Sequence, residues 1–232
     1  MLKLRDIVRC GHVVRWSSVK HKRPQFLAEH LYMVTIISRA LARSILTKEY
    51  YTPEMQILLA DYCLNHDLPE ILTGDFSSVA KRKMEDSLGE KADIFKKMDY
   101  EILPILKTLE NKMEGTPLKH IAKLADWADA IVYLQQEGED NSEIKTTKKI
   151  LESFVEFLPE GDSSKENLAE KMNKYFAEPI SHSHGIELKL KNAYFERVEQ
   201  AAKEFPEFEW GQARMILDEL ENGENSSLSF EY

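Results

Sequence analysis

Residues 64–75 read Leu-Asn-His-Asp-Leu-Pro-Glu-Ile-Leu-Thr-Gly-Asp, and the rest of the chain is best interpreted outward from this stretch. It contains one imidazole and four acceptor or acidic side chains within twelve residues. An apolar helical pattern leads into it, so these polar groups stand where a buried helix ends. Such a density of polar groups at the end of a core helix is typical of a functional site.

The helix that leads into this stretch is predicted to begin at Thr52-Pro53, an N-cap residue followed by a first-turn proline. Its apolar stripe has a helical period and comprises Met55, Leu58, Leu59, Tyr62 and Cys63. Because Pro69 disfavours helical geometry at the residue before it, we expect the helix to end at about Asp67. Adjacent His66 and Asp67 diverge by ~100° on a continuing helix but can converge at a frayed last turn. A core histidine beside a capping aspartate remains the alternative for this pair alone.

Composition excludes several classes of protein. With 232 residues, 43% hydrophobic and 31% charged, the chain suits one helical soluble domain, or one domain with an appendage. The 31 basic and 40 acidic residues give a net charge of −9, which argues against duplex nucleic acid or an anionic membrane as the main partner. A small anionic ligand can still bind through local cations.

Cysteine content and hydropathy favour a cytoplasmic protein. Cys10 and Cys63 are too few for a disulfide framework. The N-terminus is charged at once, and no apolar run reaches the 18 residues of a membrane span.

The periodicity predicts an all-α protein with almost no strand pattern. A short helix is expected within residues 2–16 and longer ones over 27–45 and 116–138, while Pro104 divides a charged helical region over 84–113. Four further helices are expected over 142–158, 165–177, 186–205 and 209–221. The basic loop over 17–24 is equally compatible with a solvated loop or a phosphate-facing lip. His182 and His184, in a Ser/Gly-containing break, are more typical of an exposed turn than of a metal site.

Two of the predicted helices carry polar groups among core residues. His30 shares a helix face with Leu27, Val34 and Ile37, so it points inward or along the edge of that face. Asp126 and Asp129 lie three residues apart on one side of a later helix. We expect Asp129 to form a salt bridge with Lys123 or with a cation of another helix.

Four of these side chains form a candidate metal-binding set. They come from three predicted helices and supply two nitrogen and two carboxylate ligands, namely His30, His66, Asp67 and Asp126. This mixture suits one divalent transition metal, such as Mn, Co, Fe, Zn or Ni, better than Ca or Mg, which prefer oxygen alone. Four protein ligands leave open positions on an octahedral ion, which suits a hydrolase.

These motifs resemble the HD-domain phosphohydrolases, and most closely the bacterial 5′-deoxyribonucleotidases of the YfbR type. The resemblance rests on Arg15-Trp16, Glu29-His30, the stretch over 66–75 and Lys123-Leu124-Ala125-Asp126, in the order and with the spacing of that family. It covers about residues 8 to 137. It implies an HD-domain helical bundle with additional C-terminal helices, divided here into an HD core over 1–140 and a helical extension over 141–232 packed on the core.

The resemblance also implies roles for individual residues. It makes His30, His66, Asp67 and Asp126 the metal ligands. Glu70 matches the acidic residue that handles the proton of the attacking water, and Arg15 a phosphate contact. Trp16 and Asp75 match the pair that recognises the deoxyribose. A homodimer is a further implication of the resemblance.

The expected activity is hydrolysis of deoxyribonucleoside 5′-monophosphates to deoxynucleoside and phosphate. A deoxynucleoside triphosphate phosphohydrolase on the same site is the alternative. It would need extra cations, which the loop over 20–23 or Lys81-Arg82-Lys83 could supply, and Lys81 is taken as the candidate substrate contact. A non-catalytic nucleotide-binding protein is a further alternative, although a complete set of candidate ligands together with Glu70 speaks against it.

Overall fold

The computed structural model of the protein describes residues 2–17, 19–75, 81, 94–138 and 182–222. Its helices in chain order are α1 (Leu4–Ile7), α2 (Leu27–Ile45), α3 (Pro53–Asn65), α4 (Glu70–Thr73), α5 (Ile94–Ile102), α6 (Ile105–Met113), α7 (Leu118–Glu137), α8 (His182–Glu204) and α9 (Gly211–Asn222). Two short strands, β1 (Val14–Arg15) and β2 (Gln25–Phe26), precede α2. The helices expected over 142–158 and 165–177 lie outside the described residues.

Helix α7 lies at the centre of the helical packing. It packs against α2 and α8 along most of its length, and it also contacts α3, α6 and α9. Its buried apolar face is nearly continuous because leucine, isoleucine and alanine recur with helical period: Leu118, Ile121, Ala122, Leu124, Ala125, Ala128, Ile131 and Leu134. The side chains that α7 presents toward α2 are therefore held in a well-packed position.

Helix α3 begins and ends as the sequence predicts. The Thr52 hydroxyl accepts a hydrogen bond from the Met55 amide, and Pro53 opens the first turn. The helix ends at Asn65, and residues 66–69 form a turn before the short α4. Gly74 ends α4 with a φ of 76°, a backbone conformation that glycine adopts without steric cost. The turn at 66–69 thus separates two helices, with Leu68 buried and His66 and Asp67 partly buried.

The N-terminal segment differs from the single short helix expected over residues 2–16. Only Leu4–Ile7 is α-helical, and a 3₁₀ turn over Val8–His12 follows it. Val14 and Arg15 then form β1, antiparallel to β2, with Val14 opposite Phe26 and Arg15 opposite Gln25. Gly11 and the β-branched Val13-Val14 pair disfavour a continuing helix, and tertiary pairing with β2 satisfies the extended backbone.

The C-terminal helices pack on the core formed by α2 and α7. Helix α8 begins at His182, four residues before the expected start, so the segment over 182–185 is helical and is not the break that the sequence predicts. Ser183 and Glu187, in the first two turns of this helix, are buried. Tyr194 of α8 is fully buried, and its hydroxyl donates to the Ala213 carbonyl of α9.

The described helices do not include one long and apolar enough to cross a membrane.

Truncation of a core residue on α7 tests this packing. Leu118 is 0% exposed, so Leu118→Ala should lower the free energy of unfolding by about 2–5 kcal/mol. The measurement is urea denaturation followed by circular dichroism. Gln136→Ala, at an exposed position of the same helix, is the matched control and should change that free energy by less than about 0.5 kcal/mol. Equal stability of both variants would contradict the central place of α7.

Candidate metal centre and its surroundings

His30 is a fully buried residue of the first turn of α2. Its Nδ1 atom donates a hydrogen bond to Asp129 Oδ2 on α7, and the two atoms are 2.6 Å apart. The other ring nitrogen, Nε2, is buried and has no hydrogen-bond partner within the described part of the chain. Such an atom carries a desolvation cost unless something binds it. The bond to Asp129 therefore leaves Nε2 available to a ligand.

His66 reaches the same position from the C-terminal end of α3. Its Nδ1 lies 2.8 Å from the Cys63 carbonyl oxygen. Because a carbonyl can only accept, Nδ1 must carry the proton. Nε2 of His66 is also buried and lacks a hydrogen-bond partner among the described residues. Two unpartnered imidazole nitrogens thus converge between α2 and α3.

Two carboxylates complete this set. Asp67 Oδ2 lies 3.5 Å from Nε2 of His30 and 3.5 Å from Nε2 of His66. Asp126 Oδ1 lies 3.5 Å from His30 Nε2, and one ligand atom from each of His30, His66 and Asp126 falls within 4.8 Å of the others. Ligands bound at about 2.1 Å to one ion stand roughly 3–3.4 Å apart, so the 3.5 Å separations are slightly longer than those of a loaded site. Small shifts of these side chains would bring them to a divalent transition metal.

The charges of the set depend on one another. Burial raises the pKa of Asp67, but His66, His30 and Arg15 outweigh this effect and hold that pKa well below its ordinary value. Burial has the same effect on Asp126, and Lys123 with the histidines lowers its pKa to about 2. Both carboxylates are therefore ionised at neutral pH and suited to bind a cation.

The protonation of His30 follows from the same charges. Burial and Arg15 lower its pKa, but the hydrogen bond to Asp129 and the nearby carboxylates of Asp67 and Asp126 outweigh them and raise it to about 9. The metal-free protein therefore holds a proton on this imidazole near neutral pH. A bound cation must displace that proton, which makes metal affinity dependent on pH.

Arg15, in β1, is the cation that pairs with Asp67. Its Nη1 donates to Asp67 Oδ2 at 2.9 Å and lies 3.8 Å from Glu70 Oε2. Burial lowers the pKa of this guanidinium, but the surrounding carboxylates raise it above its ordinary value, so Arg15 stays charged. The strand pairing that the sequence did not predict is what brings Arg15 to this position.

Glu70 lies in the first turn of α4 and faces the same space. Its side chain is buried, and Oε2 has no hydrogen-bond partner among the described residues. Lys81 Nζ is 3.7 Å from the other oxygen, Oε1. Burial and the Asp67 carboxylate raise the pKa of Glu70 to about 8, against the opposite effect of Arg15 and Lys81. Glu70 can therefore exchange a proton near neutral pH.

Trp16 and Asp75 are brought together although they lie far apart in sequence. The Trp16 amide donates to Asp75 Oδ2 at 2.9 Å, and Trp16 has a positive φ of 64°, unusual for a bulky residue. Its ring stacks on Tyr133 with centroids 6.1 Å apart and an interplanar angle of 12°. Its indole Nε1 donates to Gln25 Oε1 at 2.8 Å. The indole is thus held from several directions.

Two residues of the site, Gln25 and Tyr133, were not identified from the sequence. Asp129 was expected to pair with Lys123 or with a cation of another helix, and its ionic partner is His30 of α2, with Gln25 as a second donor, while Lys123 pairs with Asp126. Gln25 and Tyr133 carried no motif. The spacing of Asp126 and Asp129 on one face of α7, opposite the inward His30, was the signal that could have identified the partner of Asp129.

At least one cation of the basic loop over 17–24, Arg23, has a structural role. Arg23 pairs with Glu29 and Glu137, and the Tyr133 hydroxyl donates to its carbonyl. Arg23 therefore fastens the loop to α2 and α7. Of the second group of candidate cations, Lys81 lies beside Glu70, whereas Arg82 and Lys83 lie outside the described residues.

The sequence and the fold are similar to those of known nucleotide hydrolases. A dATP triphosphohydrolase of Acinetobacter phage SH-Ab 15497 is 25% identical over 230 residues, which cover 94% of this chain and 91% of that protein. The 5′-deoxynucleotidase PM0747 of Pasteurella multocida (strain Pm70) is 27% identical over 157 residues, 62% of this chain and 78% of that protein.

A solved structure of the cyanophage S-2L HD phosphohydrolase, bound to dA and one catalytic Zn²⁺ ion, has the same fold. It matches with a TM-score of 0.50 and 19% identity, covering 86% of this chain and 98% of that one. The expected all-α HD-domain bundle is thus confirmed. The Nε2 atoms of His30 and His66, which have no hydrogen-bond partner among the described residues, fit the divalent transition metal that the sequence predicts.

The family model described as 5′-deoxynucleotidase YfbR-like matches residues 4–176, most of the 232-residue chain. The HD-type groups that the sequence singled out lie together in space within this matched region. The chain therefore belongs to the YfbR-like family of HD-domain, metal-dependent phosphohydrolases.

Proposed function

We propose that this enzyme hydrolyses deoxynucleoside triphosphates, with dATP as the first substrate to test, to the deoxynucleoside and tripolyphosphate. The observation that carries the proposal is the cationic lining of the candidate centre. Arg15, Lys81 and Lys123 each lie beside one of its carboxylates. The phage dATP triphosphohydrolase that aligns over 94% of this chain supports the same substrate class.

The charge balance of the site suits a polyanion. The three cations offset the carboxylates of Asp67, Glu70 and Asp126. A divalent ion held by the histidines and aspartates adds two positive charges, and the proton that Glu70 readily holds adds to them. The loaded site therefore attracts a ligand with several negative charges, such as a triphosphate.

His30, His66, Asp67 and Asp126 are the residues that would hold the metal. When bound, such an ion lowers the pKa of water toward ~7 and neutralises phosphoryl charge. The outer nitrogens of both histidines are already hydrogen-bonded, to Asp129 and to the Cys63 carbonyl. These bonds orient the rings before a metal arrives and so reduce the cost of binding it.

Glu70 acts in proton transfer. Water attacks the α-phosphorus while Glu70 takes a proton from it. The bond from phosphorus to the 5′ oxygen breaks, and Glu70 returns a proton to that oxygen, which gives the deoxynucleoside and tripolyphosphate. A pKa of about 8 places the group close to working pH, where a general acid–base residue is most effective. Arg15 donates to the phosphoryl oxygens, where its guanidinium offsets the charge that develops.

Trp16 and Asp75 are proposed to recognise the deoxyribose. The Asp75 carboxylate uses Oδ2 to hold the Trp16 amide, and an oxygen of this carboxylate can accept from a 3′-hydroxyl. The bulky indole, held in place by Tyr133 and Gln25, would clash with a 2′-hydroxyl. The site is therefore expected to prefer deoxynucleotides.

A 5′-deoxynucleotidase acting on monophosphates is the second candidate. The family description and the Pasteurella multocida relative favour it. It uses the same ligands and Glu70, but it requires fewer cations, so the role of Lys81 separates the two activities.

Product analysis after turnover of dATP and dAMP tests the proposal. We expect tripolyphosphate and deoxyadenosine from dATP when metal-free protein receives Mn, Co or Zn, and slower turnover of ATP. Lys81→Ala should lower kcat/KM for dATP by about 10-fold or more, because it removes a charged contact. Lys107→Ala, at an exposed position of α6, is the matched control. Inorganic phosphate from dAMP, with dATP left intact, would replace the proposal with the second candidate.

Loss of one imidazole tests the ligand set. His66→Ala should weaken Zn²⁺ binding by more than about 100-fold, beyond the loss typical of an outer-sphere change. Chelator competition and metal analysis of the purified protein measure this loss. The control is His120→Ala, which removes another buried histidine, one that contacts Glu204 and lies away from the site. Unchanged zinc affinity in His66→Ala would remove His66 from the ligand set.

The raised pKa of Glu70 predicts a pH-dependent gain in stability for Glu70→Gln in metal-free protein. Glu70 titrates near 4.5 when unfolded and about 8 when folded, so ionising it costs folding free energy as pH rises between these values. The variant and the wild type should be equally stable below about pH 4.5, with the variant more stable by a few kcal/mol above pH 8.

Urea denaturation in the presence of a chelator across this range provides the measurement. A stability difference that is constant with pH, or that opens in the opposite direction, would show that Glu70 does not carry a raised pKa.

A further inference from the structure

Three consecutive hydrogen bonds connect the indole of Trp16 with the imidazole of His30. Trp16 Nε1 donates to Gln25 Oε1 at 2.8 Å, and Gln25 Nε2 donates to Asp129 Oδ2 at 2.9 Å. His30 Nδ1 donates to the same Asp129 oxygen at 2.6 Å. These bonds, called here the Trp16–His30 link, join β1, β2, α7 and α2.

The link is built so that each group has one available orientation. An indole N–H can only donate, so the Gln25 amide must present its oxygen to Trp16 and its nitrogen to Asp129. The Asp129 carboxylate accepts from both neighbours, so His30 donates from Nδ1 and its Nε2 faces the metal position. The direction of every bond is therefore determined from one end of the link to the other.

Burial makes the link difficult to replace with solvent. Gln25 is 2% exposed, His30 0% and Asp129 5%. A buried polar group that loses its partner cannot turn to bulk water, so breaking any one bond leaves unsatisfied groups on both sides. When a group at one end of the link moves, the next group must move with it, because water cannot take over the lost hydrogen bond.

The Trp16 end of the link is held in an uncommon conformation. Its positive φ of 64° persists only when the surrounding structure holds it. Asp75, Gln25 and Tyr133 provide that support through the amide, the indole nitrogen and the ring face. The link therefore connects a residue with a strained backbone conformation to a residue that faces the metal position.

We infer that Gln25 and Asp129 are positioning residues that couple Trp16 to metal binding at His30. The inference rests on the proposed functions of His30 as a metal ligand and Trp16 as a substrate contact. Metal bound at Nε2 fixes the ring of His30, and through Asp129 and Gln25 it fixes the indole. Because such coupling is reciprocal, an indole held by a nucleoside also favours the metal-bound ring.

The indole N–H resonance of Trp16 reports on the link directly. The chain has 3 tryptophans, so a ¹H–¹⁵N correlation NMR spectrum contains three indole N–H signals. The signal that is missing from the spectrum of Trp16→Phe belongs to Trp16. Zn²⁺ alone is added to the metal-free full-length chain, without nucleotide. In the wild type we expect the Trp16 signal to shift on zinc binding.

Asp129→Ala breaks the link between Gln25 and His30 but leaves the contact between Trp16 and Gln25 in place. We expect zinc affinity to fall by about 10–100-fold. At saturating zinc, the Trp16 signal should not shift in this variant. Asp129→Asn keeps an oxygen that can accept from both neighbours, so it should bind zinc less tightly while retaining the shift.

Two further variants keep the test interpretable. Gln25→Met removes the link without altering α7 and should also abolish the shift, so the test survives if Asp129→Ala fails to fold. Ser38→Ala removes another buried hydrogen-bonding group of α2, one that contacts Thr35 and Cys63, and should keep both the shift and the affinity. Circular dichroism confirms that each variant is folded.

A wild-type signal that does not respond to zinc would overturn the coupling. So would a wild-type response in both Asp129→Ala and Gln25→Met, because the two residues would then contribute only to stability. Neither result depends on turnover, so failure of the coupling and failure of the proposed substrate can be told apart.

Discussion

The hydrogen bond from His30 Nδ1 to Asp129 Oδ2, 2.6 Å long and buried, is the interaction on which the candidate centre depends. It joins α2 to α7 and determines which nitrogen of His30 faces the metal position. The bond from His66 Nδ1 to the Cys63 carbonyl has the same effect at the end of α3. The Nε2 atoms of the two imidazoles, which have no hydrogen-bond partner among the described residues, then face two ionised carboxylates, an arrangement that a bound cation stabilises.

Helix packing places these groups where one ion can reach all of them. Helix α7 lies against α2 and α3, and the turn at 66–69 opens toward both. The strand pair β1–β2 adds Arg15 on one side and Gln25 on the other. The site therefore needs long-range contacts, because Arg15 and Asp67 are separated by 52 residues and His30 and Asp129 by 99.

Charge compensation explains why the metal-free fold tolerates so many buried ionised groups. Arg15 pairs with Asp67, Lys123 pairs with Asp126, and His30 holds a proton because its pKa is raised to about 9. Each carboxylate thus has a cationic neighbour before any metal arrives. Metal binding exchanges the His30 proton for a divalent ion, and for this reason cofactor affinity, protonation and stability are linked.

Local patterns in the sequence were sufficient for the helices at 27–45 and 116–138, for the end of α3 before Pro69, and for the chemical character of His30, His66, Asp67 and Asp126. These follow from periodicity, capping and the types of side chain, which act over a few residues. The β1–β2 pairing, the early start of α8 and the partner of Asp129 were not predictable, because each depends on contacts between distant segments. The sequence by itself determined which ligand types and which helices were available. Only the tertiary structure decided which nitrogen of His30 faces the metal position, since a partner from across the core, Asp129, binds the other nitrogen.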